Sequence, residues 1–247
     1  MATTMERAAD GFRRRGQQVT RLETFVDAAF AFSLTLLVIV FDDLPGSVAE
    51  LRMALRHVPT FGFCFVILAM FWSAHNRWSR RFGLDDARST LLSLGFVFVV
   101  MIYVYPLRMV ASGAMAFFTG GWAPTGYVLD PARAMLDLQT MFIVYALGFG
   151  TLSLLLWRLN AHALREADRL GLDPTERHET GNEIGVHAIL ALSALASLTL
   201  SLAMLALFPP GRPPGWIASL PAWVYALIGP AIGLYMRRRM RSRPAVA

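Results

Sequence analysis

The chain has 247 residues, 55% of them hydrophobic and only 16% charged, with a net charge of +6 and a mean hydropathy of +0.48. This composition excludes an ordinary soluble domain, in which about a quarter of the residues are charged. All 23 basic residues are arginines that flank apolar runs, so the positive charge indicates membrane topology and predicts no nucleic-acid partner. We therefore expect an integral membrane protein embedded in a lipid bilayer.

Six apolar runs each approach the roughly 20 residues that cross a bilayer as a helix. They are continuous and do not alternate at every second position, which favours helices over a transmembrane barrel. The spans are predicted near residues 22–41, 58–76, 89–109, 135–157, 184–208 and 216–236. The predicted fold is an all-α membrane protein, a six-transmembrane-helix bundle over residues 20–237, with a basic arm at 1–19 and a short basic tail at 238–247.

Arginines are concentrated before the first span, between the second and third, between the fourth and fifth, and after the sixth. Because positively charged loops stay cytoplasmic, both termini are predicted to be cytoplasmic. Arg52, Arg56 and Arg133 are exceptions on the outer side. The first run is too long for a signal-peptide core and lacks a clear small-residue cleavage site, so we interpret it as a span.

The first span carries charged residues at its start, and these need partners or water near the hydrocarbon. At 3.6 residues per turn, Phe25, Phe32, Leu36 and Ile39 fall on one stripe. Thr35 lies beside this stripe and Arg21 lies one turn below it, whereas Asp27 points to another face. One interpretation is that the stripe packs against a neighbouring helix and Asp27 caps the helix start. The other is that the two faces have separate functions.

The second span ends in Trp72 and His75, three residues apart and therefore on one helix face. By the predicted topology, His75 and Asp27 lie at similar depth near the inner leaflet. A carboxylate, an imidazole and the guanidinium of Arg21 or Arg88 could satisfy one another there. Alternatively, Trp72 belongs to the interfacial aromatic belt and His75 is a polar residue at the edge of a loop.

The pattern Arg-x3-Phe-x-Asp-x2-Phe-Ala-x3-Thr-Leu-Leu, from Arg21 to Leu37, resembles the first-helix signature of the TMEM175 family of potassium channels. Trp72-x2-His75 is similar to that family's second motif, and Pro106 near the end of the third span also fits. This resemblance covers residues 20–110, and the later spans match in number and hydrophobicity. Val26 stands where the family usually has serine, which implies an altered hydrogen-bond network.

The resemblance implies a homotetramer in the bacterial inner membrane, with six spans per chain and the first helices lining a central pore. The implied apolar constriction consists of Phe32, Leu36 and Ile39, with Thr35 beside it. The implied structural polar network around the pore helix comprises Arg21, Phe25, Asp27, Trp72 and His75. Phe32 is bulkier than the leucine or isoleucine expected there, which predicts a narrower pore or altered selectivity.

Two classes of function compete. The first is a potassium-permeable cation channel that lacks a Thr-Val-Gly-Tyr-Gly filter and is gated by dewetting of its constriction. The second is a secondary transporter or proton-handling protein that uses Asp27 and His75 as a titrating pair. A carrier predicts a polar site at the midplane or broken helices in two related halves, and neither is evident. Without a convergent catalytic set, metal-ligand spacing or cofactor motif, we expect no enzyme activity, no metal site and no cofactor, with potassium as the permeant ion.

Overall fold

The computed structural model describes residues 12–13, 15–16, 18–39, 45–209 and 215–241, without the side chains of Val38 and Ile39. The helices are α1 Arg21–Ile39, α2 Val48–Leu55, α3 Val58–Phe82, α4 Ala87–Phe118, α5 Ala134–Arg165, α6 Pro174–Leu207, α7 Leu220–Trp223 and α8 Ile228–Met240. Short 3-10 turns at Gly215–Ser219 and Val224–Leu227 flank α7. The predicted all-helical class is confirmed for the described residues.

Five helical segments of the described chain are long and apolar enough to cross a membrane: α3, α4, α5, α6 and Trp216–Met240. With 19 residues, α1 is near the short end of the range that spans a bilayer. That α1 also crosses the membrane, which would give six spans, remains a prediction. The cytoplasmic location of both termini also remains a prediction. The predicted tail at 238–247 lies largely outside the described residues, since α8 ends at Met240 and description stops at residue 241.

The helices α4 and α5 each have 32 residues and are longer than the apolar runs that predict them. Capping, rather than hydropathy, sets where α4 begins. Asp86 accepts a 2.8 Å hydrogen bond from the Ser89 amide, and its other oxygen lies 2.8 Å from Nε2 of His162 on α5. Burial opposes ionisation, but the hydrogen bonds from Ser89 and His162 lower the pKa of Asp86 to about 2. The carboxylate therefore caps α4 and fastens it to the end of α5.

The short helix α2 lies in a stretch that the sequence analysis treats as an outer loop. Ser47 caps it by accepting a 3.2 Å hydrogen bond from the Glu50 amide. The Glu50 carboxylate in return accepts a 2.7 Å bond from the Gly46 amide. This Ser-x-x-Glu pattern is a helix-start signal that is readable in the sequence.

The centre of the bundle is a cluster of aromatic side chains from α3, α4 and α5, joined by Tyr225. The rings of Phe71 and Phe149 pack edge-on at 5.4 Å, and those of Tyr145 and Tyr225 at 5.0 Å. Gly148 lets α5 approach this cluster closely, because a Cβ at that position would lie 2.5 Å from a ring carbon of Tyr103. The close contact between α4 and α5 therefore depends on the absence of a side chain at residue 148.

The described residues of the N-terminal arm pack onto the helix ends. Phe12 is buried against Phe82, with ring centroids 6.1 Å apart. Arg15 binds Glu176 at the start of α6 through two hydrogen bonds of 2.8 and 3.0 Å. The Arg13 amide and guanidinium add bonds of 2.9 and 3.1 Å to the same carboxylate. The fully buried Glu176 thus joins the arm that precedes α1 to the beginning of α6.

Gly148→Ala should lower the thermal stability of the detergent-solubilised protein, because the added methyl group must displace the buried Tyr103 ring. Overpacking of this kind costs about 1–3 kcal/mol. The matched control is Gly233→Ala, at an exposed position of α8 where an added Cβ would meet no atom within 4 Å. Equal melting temperatures for the two variants would contradict the close approach at Gly148.

Glu176→Gln should destabilise the protein by about 3 kcal/mol, because it leaves two arginines without their buried counter-charge. Thermal unfolding monitored by size-exclusion chromatography measures the effect. Glu166→Gln is the control, since its 3.5 Å pair with the exposed Arg169 is a surface pair worth less than about 1 kcal/mol. A Glu176→Gln variant as stable as this control would refute the clamp.

Candidate functional site

The start of α1 is held by a residue that the sequence analysis passed over. The Glu23 amide donates a 3.1 Å hydrogen bond to the Thr20 hydroxyl, which caps the helix. The buried Glu23 carboxylate lies 3.0 Å from Nε of Arg80 on α3. Thr20-x-x-Glu23 fits the capping-box spacing, so a sequence signal for this residue was available.

Asp27 and Trp72 form the second polar contact between α1 and α3. The indole N–H of Trp72 donates a 2.7 Å hydrogen bond to Oδ1 of Asp27. Both side chains remain partly exposed on the surface of the single chain. A carboxylate near the hydrocarbon edge is tolerated when it has a partner, and the indole N–H is such a partner.

His75 does not lie in the same contact. It is buried between α3 and α4, where Nε2 lies 3.0 Å from the Ser93 hydroxyl. Its ring stacks on Phe96 with centroids 5.3 Å apart and an interplanar angle of 13°. Arg21 is exposed, and none of the described residues forms an ion pair with it. The structure therefore separates the cluster that the sequence analysis expected around Asp27: His75 and Arg21 do not bond to that carboxylate.

One face of α1 is covered by its own chain and the opposite face is open. The covered face is buried to a few per cent exposure and comprises Val26, Phe30, Ser33 and Leu37. The open stripe follows alternating steps of three and four residues and comprises Arg21, Phe25, Ala28, Phe32 and Thr35. This spacing is that of a helix face presented to another helix or to a central axis.

The open stripe differs slightly in register from the predicted one. Phe25 and Phe32 lie on it, each about half exposed. Thr35 lies in line with them, with its hydroxyl donating 3.0 Å to the Ala31 carbonyl, whereas Leu36 is half-buried against the core at the edge of the stripe. Ile39 ends α1, and its side chain lies outside the described part.

Val26 occupies the covered face, where its side chain is 1% exposed. It replaces the serine that the family resemblance leads one to expect. Its effect is therefore on packing between α1 and the rest of the chain, and it does not remove a hydroxyl from the open stripe.

A further charged residue lies near the far end of α1. Arg108 of α4 lines a narrow space of about 10 Å³ together with Leu37, His57, Thr60, Phe61 and Cys64. Burial, and then the guanidinium groups of Arg108 and Arg56, lower the pKa of His57, which precedes α3. The space is too small for a ligand, so this cluster acts on the packing around α1.

Comparisons with known proteins place the chain in a family. A sequence model of the family described as "Endosomal/lysosomal potassium channel TMEM175" matches residues 21–106, from the start of α1 to Pro106 in α4. A protein of Marivirga tractuosa named "Potassium channel" is 30% identical over 197 residues, which cover 77% of this chain and 78% of that protein. A crystallised variant of the potassium channel MtTMEM175, in complex with a nanobody–MBP fusion, matches with a TM-score of 0.77 at 26% identity.

The structural match covers 96% of this chain and 100% of the solved one, so it extends beyond the three spans that carry the sequence motifs. The relative's identity and coverage, together with the family match over α1 to α4, establish the relationship. The chain is an integral membrane protein and belongs to the TMEM175 family, a family of channels rather than enzymes.

Proposed function

We propose that this chain forms a potassium-permeable channel as a homotetramer in the bacterial inner membrane, with one α1 from each copy around a central pore. The open stripe of α1 is the observation that carries the proposal. Two phenylalanines and a threonine are exposed there, while the opposite face of the same helix is buried. Membership of a channel family and the potassium-channel relatives support the same function.

The proposed constriction is apolar and lies along the second half of α1. Phe32, Leu36 and Ile39 are the predicted lining residues, and together they extend over about 10 Å of helix at 1.5 Å per residue. A ring of such side chains excludes water when it closes and passes hydrated or partly dehydrated ions when it opens. Because Leu36 is half-buried, Phe32 is the larger contributor to the open stripe.

Thr35 gives the pore its polar element. Its hydroxyl donates to the helix's own carbonyl, so the lone pairs of the oxygen remain available to a cation. Four such hydroxyls around an axis would replace part of the hydration shell of potassium. The sequence contains no Thr-Val-Gly-Tyr-Gly segment whose carbonyls could do this.

The contacts at the start of α1 orient this helix toward the axis. The Glu23–Arg80 ion pair and the Trp72–Asp27 hydrogen bond both attach α1 to α3. The contact between His75 and Ser93 in turn joins α3 to α4. The transporter alternative needs Asp27 and His75 to exchange protons, and their different bonding partners weigh against it.

Phe32→Ala should change the unitary conductance of the reconstituted protein by roughly two-fold or more, because it removes the largest side chain of the open stripe. Planar-bilayer recording under a potassium–sodium gradient gives the conductance and, from the reversal potential, the selectivity. Phe98→Ala on α4 is the control, since Phe98 is 66% exposed but lies on a different helix. Unchanged conductance and selectivity in Phe32→Ala would refute the α1 pore.

Trp72→Phe should weaken the attachment of α1, because the ring is kept while the hydrogen bond to the Asp27 carboxylate is lost. We expect a stability loss of about 1 kcal/mol, since the pair is partly exposed. The readouts are the melting temperature and the unitary conductance. Trp216→Phe, at a 73% exposed indole, is the control, and the anchoring role fails if both variants behave alike.

A further inference from the structure

A groove runs between the last turns of α5 and the first part of α6, outside the proposed pore. Its volume is about 380 Å³, comparable with small-molecule sites in other proteins. The groove is lined by Trp157, Arg158, Ala161, Leu164, Arg165 and Ile184. The floor is apolar, and the two charged groups both belong to α5.

Arg158 and Arg165 lie two helical turns apart on one face of α5, and both are exposed. Among the described residues, neither forms an ion pair with a carboxylate, and the neighbouring Glu166 pairs with Arg169. Arg158 lies 5.8 Å from the ring centroid of Trp157. Arg165 uses only Nε, in a 3.2 Å bond to the Ala161 carbonyl. Most of the guanidinium N–H groups are therefore free for an anion.

The groove lies at the arginine-rich end of the bundle. The Trp78 indole of α3 donates 3.0 Å to the Leu159 carbonyl, which places this part of α5 level with the end of α3. Arg81 pairs with Glu183 at 3.0 Å, so α6 at the groove is at the same level. At this level a membrane helix passes from hydrocarbon to headgroups, and Trp157 is of the type enriched there.

We propose that this groove binds the headgroup phosphate of an anionic phospholipid. The two guanidinium groups match phosphate oxygens in geometry and charge. The apolar floor of Ala161, Leu164 and Ile184 suits the first carbons of an acyl chain, which inorganic phosphate would leave uncovered. Basic grooves between membrane helices bind anionic headgroups in this way. The site shares no residue with the proposed pore, so its test does not depend on channel activity.

The test is native mass spectrometry of the full-length protein in detergent, titrated with dioleoyl-phosphatidylglycerol or with dioleoyl-phosphatidylcholine. We expect preferential retention of phosphatidylglycerol by the unmodified protein. Arg158→Gln with Arg165→Gln should lower its apparent affinity roughly 30-fold. The matched control, Arg237→Gln with Arg238→Gln, removes the same charge from exposed positions on α8 and should retain the lipid.

Ala161→Trp provides a second variant, because it fills the floor and keeps both arginines; it should also lose the lipid. Equal retention of the two lipids, or an equal loss in the α8 control, would overturn the proposal. Displacement of the lipid by inorganic phosphate or glycerol 3-phosphate at matched concentration would assign the groove to a free phosphate instead. A change of oligomeric state in the Arg158/Arg165 variant would assign it to contact between copies of the chain.

Discussion

The direction in which the open stripe of α1 faces depends on how α1 is attached to the rest of its own chain. In lipid, apolar contact between helices gives little preference for one rotation over another, because lipid tails are as apolar as leucine. Polar contacts are directional and therefore fix the rotation. The contacts of Glu23 with Arg80 and of Asp27 with Trp72 lie about one turn apart on α1 and about two turns apart on α3, and both join α1 to α3. Once these contacts are made, the stripe that includes Phe25 and Phe32 has no partner within the described chain.

Directional polar contacts also stabilise the arginine-rich end of the bundle. Each helix end there carries positive charge, and unpaired charges of one sign repel. The carboxylates Glu23, Glu176 and Glu183 each face arginines from another segment of the chain, so the end is held together by ion pairs between segments. Glu176 draws in the arm just before α1, and the start of α1 is therefore fixed from both directions. Arg158 and Arg165 take part in none of these ion pairs, so their guanidinium groups are available for the external anion proposed above.

Much of this could be predicted from the sequence, and the remainder has identifiable physical reasons. Hydropathy located the apolar segments, but the start of α4 is set by the Asp86 side chain, which caps that helix. The predicted topology placed Asp27 and His75 at similar depth. It could not tell which polar group on a third helix competes for the imidazole, and Ser93 is that group. By contrast, Trp72 and Asp27, which form a hydrogen bond, both belong to motifs that are visible in the sequence.

Val26 and Phe32, the two departures from the family pattern, lie on different faces of α1. Sequence periodicity alone places Leu36 with Phe32, because an ideal helix cannot distinguish the centre of a face from its edge. The structure shows Thr35 in line with Phe32 and Leu36 turned partly into the core. Val26 is buried, so that departure changes how α1 packs and leaves the stripe unaltered. Phe32 is the departure that reaches the open face. In the proposed pore, a difference in permeation that arises from these two positions is therefore expected at the phenylalanine, which lies one turn from Thr35.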